Sequence, residues 1–212
     1  MTILNSFSIV LFLYWVLLLL VTMASLILAV LAFRLSKQPF AIASAGALGV
    51  ALLLAALPFG AAPVAFTVVI GLAALALAVI GGGPAAVLAL QLATKNSVAP
   101  GSHGGILVGT ETSPDTADAN NAAAADGAPT PPAAVHEVLR GGLTIGVLER
   151  LAVAGAILAG FPEALAVVVA IKGVGRFTEL ASSEARERFI IGTFASLIWA
   201  CACAILVSLT QS

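Results

Sequence analysis

Apolar residues in this chain come in runs rather than at alternating or helical-face positions. From Phe7 to Phe33 no side chain is charged. A helix that crosses about 30 Å of hydrocarbon needs about 20 mainly apolar residues, so this run predicts a first membrane span. It does not read as a secretory signal, because Met1 to Ser6 hold no Lys or Arg and the run is too long. Tyr14 and Trp15 have the chemistry of interfacial anchors but lie well inside the run. The polar stretch Arg34-Leu35-Ser36-Lys37-Gln38-Pro39 predicts a tight turn, followed by a second span from Phe40 to Leu57. Pro58, Gly60 and Pro63 break it. A third span is predicted over Val64–Ile80, with a stop at Gly81-Gly82-Gly83-Pro84. The apolar segment Ala85–Ala93 is too short to cross alone. It is read as an interfacial helix or as an extension of the third span.

The pattern changes at Thr94. Up to Ala134 the chain is rich in Ala, Gly, Pro, Asn, Asp, Ser and Thr and nearly lacks large apolar side chains. Such a segment cannot bury enough apolar area to offset the entropy of ordering it, which predicts a disordered linker. Apolar character returns near Val135. Gly141–Gly160 and Pro162–Phe177 are predicted to form a helical hairpin about the turn Phe161-Pro162-Glu163, and Phe189–Leu209 the last span. The expectation is an all-α, polytopic helical membrane bundle of about six spans. Residues 1–93 form an N-terminal membrane region, 94–134 the linker and 135–212 a C-terminal membrane region.

Composition supports a hydrocarbon solvent. Of 212 residues 61% are hydrophobic and 9% charged, with a mean hydropathy of +1.14. A soluble domain is about 25% charged, and this chain has too few charges to cover a surface facing water. A net charge of −1 and the lack of a basic stretch argue against a nucleic-acid partner. The lipid bilayer is the expected environment, with a protein partner or a second copy of the chain as the expected contact.

Charge placement sets the predicted orientation. In the six-span arrangement Arg34, Lys37, Lys95, Arg140, Lys172, Arg176, Arg186 and Arg188 fall on one side, whereas the loops on the other side hold no Lys or Arg. Basic residues beside spans are retained in the cytoplasm. The expectation is a cell-membrane protein with both termini outside and residues 94–134 inside. Merging Leu151 to Ile171 into one span gives a five-span alternative, which would scatter the basic residues over both sides.

Charges within the hairpin are the chemical lead. Glu149, Arg150 and Lys172 lie on the order of 15–18 Å below the Pro162 turn at 1.5 Å per residue, near mid-bilayer. Arg176 and Glu179 lie one and two turns further on. A charge at the centre of a span costs about 2.5–3.5 kcal/mol on insertion scales, so these groups need pairing, water or snorkelling. Glu149 has Lys172 and Arg176 as candidate partners. The group is read as a structural ion pair closing the hairpin, as a polar site for an ion, proton or anionic group, or, in another topology, as interfacial charges. Gly142 and Gly146 form a small-xxx-small pair that lets a neighbouring helix approach, and Gly155 and Ala159 do the same on another face.

The residues Ile145-Gly146-Val147-Leu148-Glu149-Arg150, then Lys172 to Leu180 including Arg176-Phe177-Thr178-Glu179, then Glu187-Arg188-Phe189-Ile190-Ile191-Gly192-Thr193-Phe194-Ala195-Ser196 resemble a C-terminal module of uncharacterised bacterial integral membrane proteins, a domain of unknown function. The resemblance covers roughly residues 142–200. Glu187-Arg188-Phe189 stands where such proteins show a Glu-Tyr-Phe type of sequence. The resemblance implies that Glu149, Arg150, Lys172, Arg176, Glu187, Gly192, Thr193 and Ser196 belong to one site or one packing unit. It implies no activity.

Nothing in the sequence points to catalysis. No P-loop, dinucleotide fingerprint, Gly-x-Ser-x-Gly or His-Glu-x-x-His occurs. No catalytic residue, metal ligand or cofactor is predicted. His103 and His136 both lie outside the spans, and Cys201 and Cys203, two apart on a helix, are poorly placed to share a bond or a metal. The expected function is that of a structural, interaction or accessory membrane component. The second reading is a small transporter or channel using the intramembrane charged cluster.

Overall fold

The computed structural model describes residues 2–60, 62–93, 142–175 and 183–211. These residues form six α-helices and no strand: α1 (Thr2–Leu35), α2 (Gln38–Ala55), α3 (Val64–Ala93), α4 (Gly142–Leu158), α5 (Ala164–Gly175) and α6 (Ser183–Leu209). The predicted linker lies outside the described residues. The fold is an all-α bundle, and four of its helices are long and apolar enough to cross a membrane: α1, α2, α3 and α6. Among the described residues the hairpin arms α4 and α5 hold 17 and 12 residues, at and below the lower end of the length of a spanning helix.

The short connections follow from local chemistry. Ser36 takes a positive φ of 51° and donates its N–H to Ala32 O at 2.9 Å, which caps the last turn of α1. Lys37 is extended and Pro39 sits in the first turn of α2, where its missing N–H costs nothing. At the end of α4, Gly160 takes φ 75°. Phe161 N–H reaches Ala156 O at 2.9 Å and Gly160 N–H reaches Ile157 O at 3.0 Å. This pair of bonds is the Schellman arrangement, and Pro162 then starts the chain back.

The third helix differs from its sequence pattern. A stop was expected at Gly81-Gly82-Gly83-Pro84, but α3 continues through it to Ala93, so Ala85–Ala93 is an extension of the third span. Pro84 removes one backbone hydrogen bond, and each glycine weakens a helix by about 1 kcal/mol. The compensation is tertiary. A methyl group at Gly81 would stand 2.5 Å from the Trp199 ring, and one at Gly82 would overlap Arg150 Cδ. The glycines form a notch in α3 that side chains from α6 and α4 fill.

α3 packs against α1, α2, α4 and α6, α1 also against α2, α6 also against α2 and α4, and α5 against α4. The core holds Leu18, Ile70, Leu77, Val153 and Leu206 among many alanines. Exposed large apolar residues such as Phe12, Leu20, Leu53, Leu72, Val174 and Ile198 cover the outside, the inverse of a water-facing surface. Several polar groups inside are paired across helices. Ser25 Oγ donates to Ser44 O and Ser44 Oγ to Ser25 O, both at 2.9 Å, joining α1 to α2. Trp199 Nε1 donates to Leu77 O at 3.0 Å, joining α6 to α3. Tyr14 and Trp15 face inward: the Tyr14 hydroxyl donates to Leu54 O at 2.6 Å, and Trp15 is 2% exposed.

These pairings fix the direction of each long helix. Ala62 N–H donates to Thr210 O at 3.1 Å, so the start of α3 and the end of α6 meet. The Phe12 and Phe66 rings meet edge to face at 5.8 Å between centroids, so the starts of α1 and α3 share that end. Arg34 and Lys37, at the α1–α2 turn, and Arg186 and Arg188, at the start of α6, therefore gather at the opposite end.

Candidate functional site

The charged hairpin is built by two neighbouring residues of α4 that point in different directions. Successive helix positions are about 100° apart, so Glu149 can face α5 while Arg150 faces α3 and α6. Lys172 Nζ pairs with Glu149 Oε2, tying α5 to α4. Their side chains are 16% and 11% exposed, so the pair is shielded rather than solvated. Lys172 Nζ also lies 5.8 Å from the centre of the Phe189 ring on α6, within the range of a cation–π contact. Lys172 is near the end of α5 and Phe189 near the start of α6. That places the turn at Phe161–Glu163 toward the other end of the bundle.

Arg150 occupies the interior. It is 6% exposed, and its Nη1 donates to Ser196 Oγ on α6 at 3.0 Å. Its aliphatic stem lies in the notch at Gly82, and a Cβ at Gly146 would stand 3.3 Å from Nη1 and 3.5 Å from Nη2. A side chain at Gly82 would collide with that stem, whereas at Gly146 the guanidinium would have to shift by a few tenths of an ångström. Arg150 Nε is buried with no hydrogen-bond partner.

The structure thus brings Glu149 to Lys172, and places Arg150 apart from that pair on Ser196. Arg176 and Glu179, the other members of the predicted cluster, lie outside the described residues. Gly146 accommodates the guanidinium of its own helix rather than the approach of another helix, and a side chain at Gly155 would meet nothing within 4 Å. Among the residues that the resemblance grouped, Ser196 and Thr193 are buried on α6, and Gly192 rests against Leu90. The sequence reading missed Gly81, Gly82, Phe189 and Trp199. The only signal was a glycine triplet before proline, which reads equally as a helix stop. Cys201 and Cys203 are free thiols. Among the described residues no group of His, Cys, Asp or Glu is arranged to hold a metal ion.

Chemically, the arrangement is a clamp. An ion pair and a cation–π contact hold the short arm α5, and a buried guanidinium bonded to a hydroxyl holds α4 on α3 and α6. No family model, no curated protein and no solved structure matches the chain.

Proposed function

We propose that this chain is a multi-pass component of the cell or inner membrane that serves a structural, interaction or accessory role rather than a catalytic one. Both termini face outward in this reading, and residues 94–134 face the cytoplasm, where they dock a protein partner. The observation that carries it is the engagement of the hairpin charges in packing. Glu149 is taken up by Lys172, and Arg150 by Ser196 and the glycine notch, so these side chains hold helices together. The gathering of Arg34, Lys37, Arg186 and Arg188 at one end supports the orientation, because basic residues beside spans stay in the cytoplasm.

The test is affinity purification from native membranes of the full chain and of a form lacking residues 94–134. A defined partner set that is lost with the deletion is expected. An identical set from both forms contradicts a docking linker.

A further inference from the structure

Cations gather at one end of the bundle without enough anions to match them. Among the described residues there, Lys172 is taken by Glu149, but Arg34, Lys37 and Arg186 are exposed and make no ion pair. Arg188 is half-buried two residues beyond Arg186, and Glu187 is exposed between them. Glu163 sits at the hairpin turn, toward the other end. Lys95, Arg140 and Arg176 adjoin the ends of α3, α4 and α5 on this side in sequence, as do Glu137, Glu179 and Glu184 among the acids. With the Lys172–Glu149 pair set aside, seven basic residues stand against four acidic ones. The carboxylates of the linker are remote along the chain, the nearest, Asp126, being 16 residues from Gly142.

The neighbours of the exposed cations say what they meet. On α1, Leu13, Leu20 and Ile27 are exposed at a spacing of seven, and Arg34 is the next position of that stripe. On α6, Ile198, Phe194 and Ile190 are exposed at a spacing of four, and Arg186 is the next position of theirs. Residues four or seven apart share one helix face, so each arginine stands at the end of an apolar stripe on the outside of the bundle. Ala29, Ala41, Pro84, Ala85 and Trp199 line one small crevice, which puts those parts of α1, α2, α3 and α6 at one level. From it Arg34 and Lys37 lie on the order of 6–8 Å further along, and Arg188 on the order of 16 Å, at 1.5 Å per residue. Long basic side chains bend along a helix toward polar surroundings, so this band of roughly 10 Å suits one headgroup layer.

We propose that Arg34, Lys37 and Arg186 form a binding surface for anionic phospholipids, with the headgroup phosphate on the cations and the acyl chains along the two stripes. Basic residues beside a membrane span attract anionic lipid, whereas a soluble acidic partner would leave the stripes uncovered. The surface goes beyond the docking role above, since a linker without partners would leave it unchanged.

The experiment holds the full chain in nanodiscs of equal parts phosphatidylglycerol and phosphatidylcholine, and native mass spectrometry reads the lipids it retains. Enrichment of phosphatidylglycerol by roughly five-fold is expected, falling as salt is raised. Arg34→Gln, Lys37→Gln and Arg186→Gln combined should bring the retained lipid near the input ratio. The combination Arg34→Lys with Arg186→Lys should keep most of the enrichment, and Glu163→Gln, toward the other end, all of it. An unchanged thermal midpoint of the Gln combination in pure phosphatidylcholine separates lipid binding from folding. A native chain that retains the two lipids equally overturns the proposal, as does full enrichment in the Gln combination. Loss of enrichment on adding millimolar inorganic phosphate at constant ionic strength makes this a site for free phosphate, and the lipid surface is then wrong.

Discussion

At the scale of single residues, the glycines of α3 are not equivalent. Gly81 and Gly82 receive Trp199 and Arg150, whereas a side chain at Gly83 would meet nothing within 4 Å. Gly82→Ala is expected to cost about 1–3 kcal/mol through overpacking, despite the gain in helix propensity. Gly83→Ala is expected to be neutral or to stabilise by up to about 1 kcal/mol. Thermal unfolding of both variants in one detergent checks the contrast, and equal midpoints would remove the notch from the account. This difference was invisible in the sequence. The Gly-Gly-Gly-Pro pattern marks a weak place in a helix but does not say which distant side chain fills it. Trp199 meets Leu77 across 122 positions of the chain. Glu149 was legible, because a carboxylate at that depth must find a cation. Its partner was narrowed to Lys172 or Arg176, and the structure describes only the first.

At the scale of elements, α5 stands apart. None of its side chains is fully buried, and its polar hold is the Lys172–Glu149 pair with the Phe189 ring beside it. Breaking such a pair from one side leaves a shielded charge behind, which is costlier than losing both. Lys172→Met is expected to destabilise the hairpin by about 3 kcal/mol, less whatever water reaches the partly exposed Glu149. Combining it with Glu149→Gln should recover most of that loss, as a double-mutant cycle in detergent would measure. Additive losses would mean that the pair holds nothing. Ser25→Ala tests the α1–α2 contact in the same way, with an expected loss of about 0.6–2 kcal/mol. The helices were legible as apolar runs, and the Pro162 turn as a break. The shortness of α5 was legible too, because the apolar run after Pro162 meets Lys172 and Arg176 before it reaches the length of a span.

At the scale of the whole molecule, the outside is rich in exposed apolar side chains, several polar side chains are buried, and Arg34, Lys37, Arg186 and Arg188 sit at one end of four span-length helices. The composition already required this inversion, since a chain with 9% charged residues cannot cover itself in water. What composition could not give is the order of neighbours. That order rests on particular contacts, among them the two serines of α1 and α2, the Trp199 hydrogen bond and the Phe12–Phe66 ring pair. Placed in a bilayer, this arrangement puts the connection between α2 and α3 on one side and the α1–α2 turn on the other, with the hairpin turn directed toward the former.

Sidedness of labelling tests that placement most directly. Single cysteines are introduced as Leu57→Cys, Glu163→Cys and Ser36→Cys in a chain carrying Cys201→Ala and Cys203→Ala. Each is exposed to an impermeant maleimide in right-side-out and inverted membrane vesicles. Cysteines at positions 57 and 163 are expected to react in right-side-out vesicles, and the one at position 36 only in inverted ones. Reaction of all three from the same side would contradict the account.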